Sequence, residues 1–137
     1  MNDIQAAIGV EQLKRVDSFI ETRKNIHIRY TFELSKLDWL ETPKEIQHVS
    51  SYYMYHIQTR DSEDRDKLAR HLRKNNIYTA FRYYPLHKID FYDSDEVLSN
   101  TDYVENHTLC IPLHQNLTDD DVTKIIHTIK DFKQWTY

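Results

Sequence analysis

Apolar and polar positions divide the chain into stretches with different periods. Over residues 2–37 apolar positions recur at helical spacing: Ile4, Ala7 and Ile8, then Leu13, Val16 and Ile20, widened by Phe19, Ile26 and Tyr30. Glu11, Lys14, Asp17, Lys24 and Arg29 mark a wetter side, so the pattern predicts one long helix with Asn2 or Asp3 as its cap or first-turn acid. At its start Ala6 and Val10 fill in the circumference, a distribution normal for a helix buried on all sides. Residues 38–49 hold Pro43 and many polar groups and read as a loop. Residues 51–59, SYYMYHIQT, are rich in aromatics and end against charges, which predicts a strand. A helix follows over 63–74, capped by Asp61 or Ser62, with Leu68, Ala69 and Leu72 turned inward. Asn75-Asn76 stops it, because Asn tolerates the left-handed conformation after a helix. Residues 77–82 read as a second strand broken by Pro85, 84–95 as an aromatic loop, and 97–107 as a short helix. Residues 108–111, TLCI, give a third strand ended by Pro112. Thr118 and Asp119 to Asp121 then open a helix whose inner face carries Val122, Ile125, Ile126, Ile129 and Phe132. The order α-β-α-β-(α)-β-α predicts an α/β (α+β) fold: a small, mostly antiparallel sheet with packed helices and a long N-terminal helix.

With 137 residues and neither repeat nor linker, residues 1–137 read as a single domain. Eighteen basic and 22 acidic residues give a net charge of −4, interspersed and without a basic stripe, so nucleic acid is not expected as a partner. No apolar run spans a bilayer and no signal peptide precedes the helix, so no membrane partner is expected either. Cys110 is the lone cysteine, which fits a reducing, cytoplasmic setting; the sequons at Asn106 and Asn116 then read as chance. Gly9 is the one glycine, which excludes a phosphate-cradling P-loop or a dinucleotide fingerprint. Ten tyrosines suit a pocket or an interface.

His107, Cys110 and His114, with His127 as a fourth, are the residue types of a zinc site, but their spacing matches no paired-ligand motif. The strand pattern turns Cys110 toward the core, where a thiol packs rather than reacts. The acids at 119–121 and at 61–64 are accounted for by capping and the helix dipole. The stretch TAFRYYPLHKIDFY, 79–92, differs: it gathers Phe81, Arg82, Tyr83, Tyr84, His87 and Tyr92 around a proline. Arginine beside aromatic rings and a histidine can hold a phosphate or sugar hydroxyls while the rings stack on a ligand face. In the other reading the rings cover the sheet and Arg82 pairs with a surface acid.

Three motifs carry a family resemblance. Met1-Asn2-Asp3-Ile4-Gln5-Ala6-Ala7-Ile8-Gly9 resembles the helix that opens the C-terminal part of the DegT/DnrJ/EryC1/StrS sugar aminotransferases. Arg82-Tyr83-Tyr84-Pro85-Leu86-His87 resembles their [HR]-Y-x-P-L-H stretch, and Ile111-Pro112-Leu113-His114 with Leu117-Thr118-Asp119-Asp120-Asp121-Val122 resembles their closing motif. The three follow in family order from the first residue to the final helix. The resemblance implies the small C-terminal domain of a pyridoxal-phosphate-dependent aminotransferase of fold type I. Such enzymes transfer an amino group from glutamate to a nucleotide-linked keto-sugar and work as homo-oligomers, with sites at the subunit interface. It also implies that the large cofactor domain preceding Met1 in the family is missing, and that the apolar start of the helix is a surface that domain would cover. An engineered piece, a proteolytic remnant and a truncated gene product are equally open.

The Schiff-base lysine, the acid facing the pyridinium nitrogen and the phosphate cradle all lie in the family's large domain. No catalytic residue is therefore assigned here, and no pyridoxal phosphate is expected on this chain alone. Lys88 is the one lysine near a candidate site. Asn2 and Gln5 could lie near the cofactor of an intact enzyme or simply cap and pack the helix. Arg82, Tyr84 and His87 are the expected substrate-binding residues, by chemistry and resemblance together. The alternative is a non-catalytic α/β binding or assembly module.

Overall fold

The computed structural model describes residues 2–44 and 50–135. Its core strand is β2 (Tyr55–Thr59), flanked by β1 (Leu40–Glu41) and β3 (Thr108–Ile111) in the sheet order β1-β2-β3. Both pairings are antiparallel, with Tyr55 opposite Ile111, Ile57 opposite Leu109, and Leu40 opposite Thr59. Along β2 the side chains alternate strictly: Tyr55, Ile57 and Thr59 are buried, while His56 and Gln58 are half-buried on the other face. Helices α2 (Val16–Leu34), α3 (Ser62–Lys74) and α5 (Asp119–Asp131) pack over that inner face. Their contributions to one continuous core include Ile26, Tyr30 and Leu34; Leu68 and Leu72; and Val122, Ile125 and Ile129. The small antiparallel sheet with packed helices is the fold expected from the pattern.

The helix starts are set by local chemistry. Thr118 accepts from the Asp121 amide and the Asp121 carboxylate accepts from the Thr118 amide, a reciprocal capping box at α5. Asp61, not Ser62, caps α3 by accepting from the Glu63 amide. Asn76 at φ 61° ends that region in the left-handed conformation. Asn2 and Gln5 form a second capping box at α1 (Asp3–Leu13), which occupies both side chains.

Four expectations need correction. The strand expected over 51–59 forms only at Tyr55–Thr59, with Tyr52 at φ 47° outside extended backbone. The helix expected over 2–37 is two helices, α1 and α2, separated at Lys14 and Arg15. There the Arg15 amide bonds to the Gln12 carbonyl at 3.0 Å, a tighter turn than the α-helix allows. Neither proline nor glycine marks the break, and apolar spacing continues through it. Part of the loop expected over 38–49 is β1; residues 45–49, like Met1, lie outside the described residues. The strand expected over 77–82 shrinks to one bridge, Ala80 with Cys110, held by bonds of 3.0 and 2.9 Å. Beside it the Phe81 ring is turned toward Arg65 of α3, 4.6 Å from its guanidinium, instead of continuing the ladder. The short helix expected over 97–107 is α4 (Ser99–His107).

Helix α1 buries no residue: Ile4 is 73% exposed and Ile8 59%. Its apolar side chains therefore contribute nothing to the core of this chain. Leu68→Ala or Ile129→Ala, each removing a fully buried side chain, should lower unfolding free energy by about 2–5 kcal/mol. Ile8→Ser should change it by less than about 0.5 kcal/mol. Urea unfolding monitored by tryptophan fluorescence checks both.

Candidate functional site

The segment that leaves the sheet at Ala80 carries the expected site residues. Arg82 is exposed, and its guanidinium donates to the Tyr83 hydroxyl at 3.3 Å, which holds its pKa above the usual value. It borders a cavity of about 300 Å³ with Tyr53, Tyr78, Cys110 and Pro112. No ion pair engages Arg82 among the described residues, so the reading in which it pairs with a surface acid is not what the fold adopts. Tyr84 is 60% exposed. His87 lies in a short 3-10 turn, Leu86–Lys88, with its side chain 11% exposed and Nε2 3.5 Å from Asp102 Oδ1. It borders a second cavity of about 620 Å³ walled by Asp90, Asp93, Asp95, Glu96 and Asp102. Arg82 and His87 thus line different cavities, although five residues separate them in the chain.

Lys88 is fixed by two carboxylates on α4, Asp102 Oδ1 and Glu105 Oε2, each 2.7 Å from Nζ. Those hydrogen bonds push its pKa well above the lysine range and pull that of Asp102 down. A lysine held as a cation in this way is a poor amine nucleophile.

The zinc-type residues are dispersed. His107 bonds through Nδ1 to the Tyr103 carbonyl at 2.7 Å and stacks on the Tyr103 ring. His114 Nδ1 accepts from the Asn116 amide, and His127 lies exposed on α5. Cys110 is buried, but not in the core as the strand pattern suggested: it lies opposite His56 on the other face of the sheet and borders the cavity with Arg82, and burial raises its thiol pKa. Among the described residues no three His, Cys, Asp or Glu side chains group to hold a metal ion. No helix among them is long and apolar enough to cross a membrane.

Two features escaped the sequence reading. One is a cavity of about 330 Å³ beside His27, His56, Tyr52 and Tyr53. The His27 ring meets Tyr52 and Tyr55 edge-on at 5.1 and 4.8 Å. The other is a basic groove of about 690 Å³ along α3, bounded by Arg65, Arg70, Arg73, Lys74 and Phe81. The interspersed charge hid it, but the run RDKLARHLRK holds the signal: Arg65, Arg70, Arg73 and Lys74 within one helix.

The fold is shared with aminotransferases of known structure. The aminotransferase TlmJ from Streptoalloteichus hindustanus is 38% identical, with a TM-score of 0.95 over 98% of this chain and 37% of that one. The PLP form of the sugar aminotransferase Spr1654 from Streptococcus pneumoniae is 26% identical, with a TM-score of 0.81 over 98% of this chain and 36% of that one. Among curated relatives, dTDP-4-dehydro-2,3,6-trideoxy-D-glucose 4-aminotransferase of Saccharopolyspora spinosa is 36% identical over 90% of this chain and 32% of its own length. The model of the DegT/DnrJ/EryC1/StrS aminotransferase family matches residues 1–130, and the chain belongs to that family. Its aminotransferases depend on pyridoxal phosphate. The chain spans about a third of the length of the curated relatives it matches.

Burial lowers the pKa of both His27 and His56 from the model-compound value of 6.5, and the charge of His56 lowers that of His27 further. Below that value the unfolded chain binds more protons than the folded one. Stability should therefore hold above about pH 6.5 and fall over the interval just below it. His27→Gln should flatten that slope, as measured by urea midpoints across the interval.

Proposed function

We propose that this chain forms the substrate-side part of a pyridoxal-phosphate-dependent aminotransferase acting on nucleotide-linked keto-sugars, with glutamate as donor. In this reading residues 1–137 are the enzyme's small C-terminal domain and contribute to a cytoplasmic homo-oligomer. The observation that carries it is the exposed Arg82-Tyr83-Tyr84 segment, held off the sheet edge beyond the Ala80 bridge in a chain of this family. Arg82 presents a guanidinium fork suited to a phosphate or sugar hydroxyl, and Tyr84 presents a ring face and a hydroxyl. His87, anchored on Asp102, orients the turn that follows Pro85 and offers its ring edge to the substrate.

The cofactor does not fit this chain's own residues. Lys88 is engaged by two carboxylates, and Gly9 lies in an exposed helix with nothing packed against its Cα face. Asn2 and Gln5 cap one another. In this reading the Schiff-base lysine and phosphate cradle are functions of the part of the family enzymes that lies beyond this match, and residues 1–137 are not expected to supply them.

In an enzyme containing this domain, Arg82→Ala should weaken the sugar-nucleotide half-reaction on the order of ten- to hundred-fold while sparing the glutamate half-reaction. Tyr84→Phe and His87→Ala should act in the same direction with smaller effects. Single-turnover absorbance of each half-reaction separates the two. Equal losses in both would count against a substrate-side role.

A further inference from the structure

The charges of α3 are divided along its length. Its acids, Glu63, Asp64 and Asp66, lie toward the N-terminal end, and each is engaged: Glu63 by Lys67 at 2.9 Å, Asp66 by Arg65 at 2.6 Å, and Asp64 by Lys133. Arg70, Arg73 and Lys74, toward the C-terminal end, form no ion pair among the described residues. The surplus stands on a chain whose net charge is −4, so it is not a share of general basicity. The helix dipole favours cations in a last turn and accounts for Arg73 and Lys74, but not for Arg70 or for the cavity they border.

That cavity, about 690 Å³, runs between α3 and residues 79–81. Ala69, nearly buried, keeps its floor low between the long side chains. Phe81, 55% exposed, forms a wall, and Asp66, the one acid of the lining, borders the N-terminal end of the groove with its carboxylate paired to Arg65. Two of the guanidinium groups are ordered by aromatic faces: Arg65 lies 4.6 Å from the Phe81 ring centroid, and Arg73 4.0 Å from that of Tyr78. Stacking fixes a guanidinium plane without using its N–H donors, which leaves the forked edge of Arg73 for an anion, while that of Arg65 is taken up by Asp66 and the Glu105 carbonyl. Arg65 is held further by donating to the Glu105 carbonyl at 2.8 Å.

We propose that this groove binds an oligophosphate anion, with Arg70, Arg73 and Lys74 on successive phosphates. The cations from Arg70 to Lys74 are spread over about 6 Å of helix axis, more than one phosphate group can serve and well suited to a chain of two or three. The exposed Phe81 wall adds a stacking surface for a base, so both a nucleoside triphosphate and inorganic tripolyphosphate carry the recognised chemistry. The groove adjoins the cavity that Arg82 borders with Tyr53 and Cys110, the two sharing Thr79, but no cation of α3 lines that second cavity.

Calorimetric titration of the full chain with sodium tripolyphosphate tests this. The expected result is saturable binding at one site, at least tenfold weaker in the Arg70→Ala/Arg73→Ala variant and weakened by added salt. Lys67→Ala, which removes a paired cation from the same helix, should leave the affinity unchanged. Arg70→Lys/Arg73→Lys keeps the charge and should be intermediate, which separates recognition from misfolding; thermal melts of each variant check the fold. ATP binding tighter than tripolyphosphate, with the advantage lost in Phe81→Ala, identifies a nucleotide as the ligand; equal binding identifies inorganic oligophosphate. Absence of saturable binding would overturn the proposal, as would equal losses in Lys67→Ala and the double variant, or equally tight binding of sulfate. Self-association lost in the double variant without tripolyphosphate binding would also overturn it, in favour of a protein partner.

Discussion

The fold depends on the contact between two buried phenols. Tyr30 of α2 and Tyr55 of β2 are fully buried and meet at 5.2 Å with their planes at 61°. Burying a phenol is favourable only if its hydroxyl keeps a partner. Tyr30 donates to the Pro112 carbonyl at 3.0 Å, and Tyr55 shares a 2.9 Å bond with the Thr31 hydroxyl. Burial pushes the Tyr55 pKa up to about 12, and that of Tyr30 further, so both phenols stay neutral. These bonds tie α2, the central strand and the turn after β3 into one register. A slip of one residue in β2 would drive His56 and Gln58 into the core. Helix α5 is attached to the same frame through Arg29 with Thr123 and Glu33 with Lys130.

How much could be read in advance follows from what each element depends on. α3 and α5 were legible because cap chemistry and inward spacing are written in adjacent residues, as at Thr118, Asp121 and Val122. The break between α1 and α2 was not, because apolar periodicity reports which side faces inward and is silent about the axis. β1 was missed because two residues leave no period to detect. The strand expected over 77–82 failed at Phe81, whose β-propensity is overridden by its contact with Arg65, sixteen residues earlier.

The candidate site was legible in residue type and illegible in arrangement. Arg82, Tyr84 and His87 are neighbours in sequence, yet the turn after Pro85 sends His87 to the acidic wall of α4 and leaves Arg82 beside β3. The α3 groove shows the converse. Its cations are visible in the sequence, but their stacking partners, Phe81 and Tyr78, come from the next segment and meet them only in the folded chain. The family motifs crossed both gaps because they register tertiary solutions without describing them.

Helix α1 has one more consequence. It is eleven residues long, buries nothing, and is held by its own capping box and a Glu11–Lys14 pair. Helices that short are marginal in water when no tertiary surface supports them. On heating, this segment should lose its order gradually, residue by residue, ahead of the cooperative transition of the core. The far-ultraviolet baseline of the folded chain would then slope before the main melt, a thermal signature of a helix whose structure belongs to whatever it rests upon.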